Sequence, residues 1–209
     1  MTMRTIEWNK IPHFSIEYGY YDWLADDHTI VPLATPSDID KMNDTVFDVV
    51  DDIDLLIMPG GKTDSKLLAF EISLCEQMCL IQKPILGICR GMFVLNTVFG
   101  GKRPNNRHEE GNIIENEQTR NMHMWTSHYV FGATGEEHRV QSAHDAVIIQ
   151  PPPDAYTVLR DQPWGRGIPQ DQSGAVEAFI KDNAAGVMFH PERDPEHWLP
   201  TEIKELTGL

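Results

Sequence analysis

Short apolar runs alternate along this chain with longer amphipathic stretches, and turn residues punctuate both. Leu55-Leu56-Ile57-Met58 stops at Pro59-Gly60-Gly61, Pro84-Ile85-Leu86-Gly87-Ile88 stops at Cys89, and Ala185-Gly186-Val187-Met188-Phe189 stops at His190-Pro191-Glu192. Apolar runs this short, bounded by turn residues, read as fully buried strands. Asp64 to Gln82 and Met92 to Val98 carry helical patterns between them. Earlier in the chain, Met3 to Trp8 reads as a first strand, Tyr18 to Leu24 as an aromatic helical stretch and Thr29 to Leu33 as a second strand. Ser37 follows as N-cap of a short helix. This βαβα rhythm predicts an α/β fold with a mostly parallel sheet flanked by helices. From residue 123 to 180 the rhythm changes to short strands, at Thr126 to Phe131, Ala146 to Ile149, Tyr156 to Leu159 and Ala175 to Ile180. They predict an additional antiparallel β portion after the Met92 helix. Pro151-Pro152-Pro153 marks a turn, and Glu196 to Leu206 reads as a surface helix.

The second of these strands carries the first candidate chemistry. A strand that becomes a helix within two residues holds the residue at its apex in a strained turn, side chain outward. Gly87 and Gly91 stand on either side of Cys89 and let the backbone make such a turn. A thiol there sits at a helix N-terminus, where the dipole and free N–H groups favour thiolate. An arbitrary cysteine is more often a small buried residue, but two flanking glycines at a strand–helix junction favour a nucleophile elbow.

A nucleophilic thiol needs a base, and the Ala185 strand delivers a histidine. His190 would take the proton and return it to the leaving group. Glu192, two residues on, would fix the imidazole tautomer, with Pro191 stiffening the backbone between them. If both strands are parallel in one sheet, Cys89 and His190 leave it at the same carboxyl edge despite 190 − 89 = 101 positions between them.

The elbow Gly87 to Gly91, the Leu55 to Gly61 segment and His190-Pro191-Glu192 together resemble the class I glutamine amidotransferase domain. The resemblance is strongest to its γ-glutamyl-γ-aminobutyrate hydrolase branch, through Gly87-Ile88-Cys89-Arg90-Gly91, Asn96, Gly100-Gly101 and Gln141-Ser142-Ala143-His144. It spans roughly residues 50 to 195 and implies a flavodoxin-like sheet, one domain over residues 1–209 and a Cys89-His190-Glu192 triad. The triad would attack a γ-glutamyl amide or glutamine and form a thioester at Cys89. The resemblance also implies that backbone N–H groups of the Gly60-Gly61 loop, carried to Gly61, and of Arg90 form the oxyanion hole. Ser142 and His144 fall on a substrate-facing loop, with a binding role for His144. Two positions depart from the family pattern. Phe93 replaces the usual Gln or Glu four residues after the nucleophile, and is read either as altering substrate preference or as core packing. The polar run Lys102 to Glu110 replaces a hydrophobic strand.

Composition narrows the class further. The formal charge of −15, from 17 basic and 32 acidic residues, argues against a nucleic-acid partner. The longest apolar runs are far shorter than a membrane span, and the N-terminus has no signal-peptide core, so a cytoplasmic location is expected. Three cysteines do not make a closed disulfide framework. Cys75 and Cys79, four apart on a helix, are read as core packing rather than as a metal pair. Of the nine histidines, His108, His123, His128 and His138 match no zinc spacing and are read as surface residues, and His197 as the start of the last helix. No cofactor and no metal are expected. Three function classes remain. The first is a thiol hydrolase of a small-molecule γ-glutamyl amide, and the second is a glutaminase subunit serving a separate synthetase or amide ligase. The third is a non-catalytic binding module. The sequence leaves the substrate and the oligomeric state undecided.

Overall fold

The computed structural model describes residues 1–8, 11–36, 38, 42–62, 64–101, 124–144, 146–161 and 175–209. Its main sheet has seven strands: β3 (Leu56–Met58), β4 (Ile85–Ile88), β5 (Met124–Gly132), β6 (Glu137–Ala143), β7 (Tyr156–Asp161), β8 (Val176–Lys181) and β9 (Ala184–Val187). Their spatial order is β3-β4-β9-β8-β7-β5-β6. β3, β4 and β9 run parallel, and every pairing beyond β9 is antiparallel. Residues at the chain start extend the parallel half. Thr2 N–H donates to Ile57 O at 3.0 Å, and Thr2 forms a parallel bridge with Leu33.

Among the described residues five helices flank the sheet: α1 (Tyr18–Leu24), α2 (Met42–Val50), α3 (Ser65–Leu80), α4 (Arg90–Val98) and α5 (Thr201–Thr207). Successive strand residues face opposite sides, and the buried residues divide accordingly. Leu56, Met58, Ile85 and Ala184 pack with Val46 of α2, Phe70 and Leu74 of α3 and Leu95 of α4. Ile57, Leu86, Ile88, Ala185 and Val187 pack on the other side with Tyr20 of α1 and Ile203 of α5. Both faces of the parallel half are therefore covered, which explains why its strands are unbroken apolar runs. The Asp64 carboxylate caps α3, accepting from the N–H groups of Lys66 and Leu67 at 2.9 Å.

Several sequence expectations are corrected. The first strand, β1 (Arg4–Trp8), lies outside the main sheet and pairs antiparallel with β2 (Ile11–Ser15) in a hairpin of its own. Thr29 to Leu33 contributes one bridge, at Leu33; Pro32 within it has no N–H to give a ladder. Ala146 to Ile149 likewise contributes one bridge, Ile148 to Val176. The last helix begins at Thr201, so His197 precedes it. Ser37 and Lys102 to Glu110 lie outside the described residues.

Candidate active site

The parallel register aligns Ile88 of β4 with Val187 of β9, and Cys89 N–H donates to Val187 O at 2.7 Å. Cys89 and the His190 segment therefore leave neighbouring strands at the same carboxyl edge, where ligands bind in open α/β sheets. Cys89 sits between β4 and α4 with φ 51° and ψ −103°. Left-handed backbone of this kind is strained for a residue with a side chain and holds the thiol at the apex of the turn. Gly91 makes the turn sterically feasible, because a Cβ there would lie 2.1 Å from the Met58 carbonyl oxygen. The first turn of α4 thus rests on the end of β3.

His190 Nδ1 and Glu192 Oε1 are 2.6 Å apart, and both side chains are almost fully buried. Pro191 opens a 3₁₀ turn, Pro191–Arg193, that holds the carboxylate under the ring. With Nδ1 engaged, Nε2 is the ring nitrogen left for the Cys89 thiol. Burial opposes a charge on this ring. Hydrogen bonding to Cys89 and Glu192, together with their charges, outweighs it and raises the His190 pKa to about 9. The turn is itself braced: Arg193 Nε and Nη2 donate to the Glu17 carboxylate at 2.7 and 2.9 Å.

The glycine loop closes over this pair. A Cβ on Gly60 would stand 2.6 Å from His190 Cε1 and 3.4 Å from Cys89 Cβ, so only a residue without a side chain fits beside both. Gly61 follows with φ 123°. Arg90, directly after Cys89, is buried. Its Nη2 donates to Glu71 Oε1 at 2.8 Å and to Pro59 O at 3.0 Å, and its Nη1 donates to Glu71 Oε2. Thr2 Oγ1 donates to Glu71 Oε1 at 2.6 Å. Tyr20 also lies against this region, buried beside Cys89 in the same packed cluster. Burial and the nearby Glu192 and Glu17 carboxylates keep its phenol protonated.

Ser142 and His144 are both buried. Gln141 O accepts from His190 N–H at 2.8 Å, which ties their strand to the histidine turn through the backbone. The His144 ring faces elsewhere: Nδ1 is 3.1 Å from Ala146 O and Nε2 is 3.8 Å from Glu177 Oε1. His128 is not a surface residue. It is buried with Nε2 3.5 Å from Glu177 Oε2. His138 stacks on Trp198 at 4.0 Å between ring centres, and His197 Nδ1 is 3.0 Å from Pro191 O. His108 and His123 lie outside the described residues. Phe93 is half-buried and packs against the α3–α4 side of the core. Cys75 is buried with its thiol 3.4 Å from Met58 Sδ. Among the described residues, no group of three or more His, Cys, Asp or Glu side chains could hold a metal ion, and no helix is long and apolar enough to cross a membrane.

Sequence reasoning missed Glu71 and Glu177. Glu71 had a signal, because it stands in the α3 stripe Leu67, Phe70, Leu74, Cys75, Met78 that the helical period buries. Glu177 is one carboxylate set between Val176 and the apolar run Ala178 to Ile180 of β8, with an equivalent signal.

The family model of glutamine amidotransferase class-I matches residues 26–204. The glutamine amidotransferase-like protein YvdE of Lactococcus lactis is 24% identical over 213 aligned residues, covering 88% of this chain and 83% of that protein. Among solved structures, the glutaminase domain of Trypanosoma brucei CTPS with bound acivicin superposes with a TM-score of 0.60 at 12% identity, over 86% of this chain and 81% of that one. A candidate GMP synthase component from Thermoplasma acidophilum gives 0.57 at 20% identity, over 85% and 79% of the two chains.

Proposed function

The chain belongs to the class I glutamine amidotransferase family, and from that premise we propose that it is a cysteine-dependent amidohydrolase cleaving a γ-glutamyl amide through a thioester at Cys89. The observation that carries the reading is the buried 2.6 Å His190–Glu192 contact, just beyond the end of β9, the strand that pairs with the one leading into Cys89.

In this reading His190 Nε2 takes the Cys89 proton and Glu192 stabilises the resulting imidazolium. The thiolate attacks the amide carbon, and the carbonyl electrons move onto oxygen. Backbone N–H groups of Gly61 and Arg90 receive that oxyanion, a contribution worth about 10²–10³ in rate per donor. Collapse breaks the C–N bond, and His190 protonates the departing amine or ammonia. Water, deprotonated by His190, then attacks the thioester and releases glutamate and the free thiol. The proton taken in each half-reaction is returned in the same half-reaction. Thiol, imidazole, carboxylate and backbone donors supply every step.

We take residues 1–209 as one such domain acting in the cytoplasm on a small γ-glutamyl compound. Ser142 and His144 would shape the substrate loop from behind. Incubating the purified protein with glutamine and a panel of γ-glutamyl amides, with mass detection of glutamate and amine, tests the reading. Amine release from at least one member, lost in Cys89→Ala, is the expected result. No release from any member would favour a non-catalytic binding module.

A second reading is favoured by the structural likeness to the CTPS glutaminase domain and the GMP synthase candidate. There the chain would pass ammonia to a separate synthetase or ligase. Its mark would be weak glutaminase activity alone and strong activation by that partner.

A further inference from the structure

We propose that Arg90 and Glu71 are positioning residues that set the separation of the two oxyanion donors; this rests on the oxyanion hole of the reading above. The two donors come from different elements. Gly61 belongs to the loop after β3, and the Arg90 N–H belongs to the first turn of α4. No ladder hydrogen bond joins that loop to that turn, since the β3–β4 register ends at Met58 and Gly87. The Arg90 guanidinium spans the gap. Its own main chain carries one donor, and its Nη2 holds the carbonyl of Pro59, two residues before the other, at 3.0 Å.

Glu71 makes that bridge rigid. Its carboxylate accepts from both terminal guanidinium nitrogens, the paired geometry that fixes orientation as well as distance. Thr2 Oγ1 donates to the same carboxylate at 2.6 Å, which ties it to the chain start where Thr2 bridges Leu33 and donates to Ile57 O. The pair is buried, Glu71 completely. A buried ion pair is no economical source of stability, because desolvation offsets much of its attraction. A device that fixes geometry accounts for its location, directly under the loop and the elbow. A lysine could supply the charge but not the planar fork that holds both carboxylate oxygens and the Pro59 carbonyl in one fixed orientation.

The test separates reactions that build an oxyanion from those that do not. γ-Glutamyl aldehyde adds reversibly to Cys89: the thiolate attacks the C=O carbon, His190 keeps the thiol proton, and the carbonyl electrons move onto oxygen, giving a tetrahedral hemithioacetal whose oxyanion needs the hole. Iodoacetamide alkylates the same sulfur by displacing iodide and forms no oxyanion. In Glu71→Gln, aldehyde affinity should fall about tenfold or more, because an ångström-scale displacement of a catalytic group costs up to about 10². The alkylation rate at Cys89, mapped by mass spectrometry, should change less than about threefold. The double variant Glu71→Leu with Arg90→Met removes both charges together, so it does not strand a buried ion, and should lose aldehyde affinity to a similar degree. Undiminished aldehyde affinity in the double variant, or a parallel loss in both reactions, overturns the positioning role. Wild-type protein that alkylates at Cys89 but does not bind the aldehyde overturns the oxyanion reading itself.

Discussion

His190 and Glu192 share a 2.6 Å hydrogen bond across a single proline, and that bond helps lift the imidazole pKa to about 9. Replacing the carboxylate with an amide removes part of the upward pull while leaving burial to act downward. Glu192→Gln should therefore move the alkaline limb of the kcat/KM profile to lower pH and reduce kcat less than His190→Asn does. That limb reports the coupled Cys89–His190 pair rather than either group alone. The same shift carries a stability signature. The folded-state pKa lies above the unfolded value, so the charged ring stabilises the fold fully below about pH 6.5, and the contribution disappears as pH rises through about 9. Melting temperatures of wild type and His190→Asn should converge above that range.

Cys89→Ala should abolish turnover. A glutamine-like electrophile should add at Cys89 and spare the helix thiols, because burial pushes both Cys75 and Cys79 toward the protonated, unreactive form. Preferential labelling of either α3 cysteine, read by peptide mass mapping, would contradict the assignment.

Gly60→Ala places a methyl group 2.6 Å from His190 Cε1. The imidazole must tilt away from Cys89, and kcat should fall by about 10² with a smaller change in melting temperature. A variant of wild-type activity would mean that Gly60 does not abut the working conformation.

Phe93→Gln tests the position where the chain departs from its family. Phe93 packs against the core beside Val94 and Leu95, so the substitution should cost about 1–3 kcal/mol of stability. Glutamine hydrolysis should be unchanged or lower. A gain in glutamine hydrolysis would instead give Phe93 a part in substrate selection.

The parallel half was legible in the sequence because burial on both faces writes its strands as unbroken apolar runs. Ile85–Ile88 and Tyr18–Leu24 fall where the pattern puts them. β6 was not legible. It is an edge strand with Val140 as its only large apolar inward residue, and a histidine, a glutamine and a serine obscure its period. Thr29 to Leu33 has strand composition, but a sheet edge offers few partners and Pro32 removes a donor. At the candidate site, Cys89, His190 and Glu192 could be read because each ends or follows a strand. Glu71 was legible only as a carboxylate within a buried helical stripe; its pairing was not, since Arg90 is 19 positions away and only folding brings the two together.

The left-handed backbone at Cys89 makes the proposed nucleophile a point of fragility as well. Holding a side-chain-bearing residue at φ 51° costs of order 1–3 kcal/mol, and glycine alone is free of that cost. Cys89→Ala keeps the tension and Cys89→Gly relaxes it, so the glycine variant should melt a few degrees higher than the alanine one. Reactivity and durability are thus set against each other at one residue. Relatives that abandoned catalysis would have a physical reason to carry glycine at this apex.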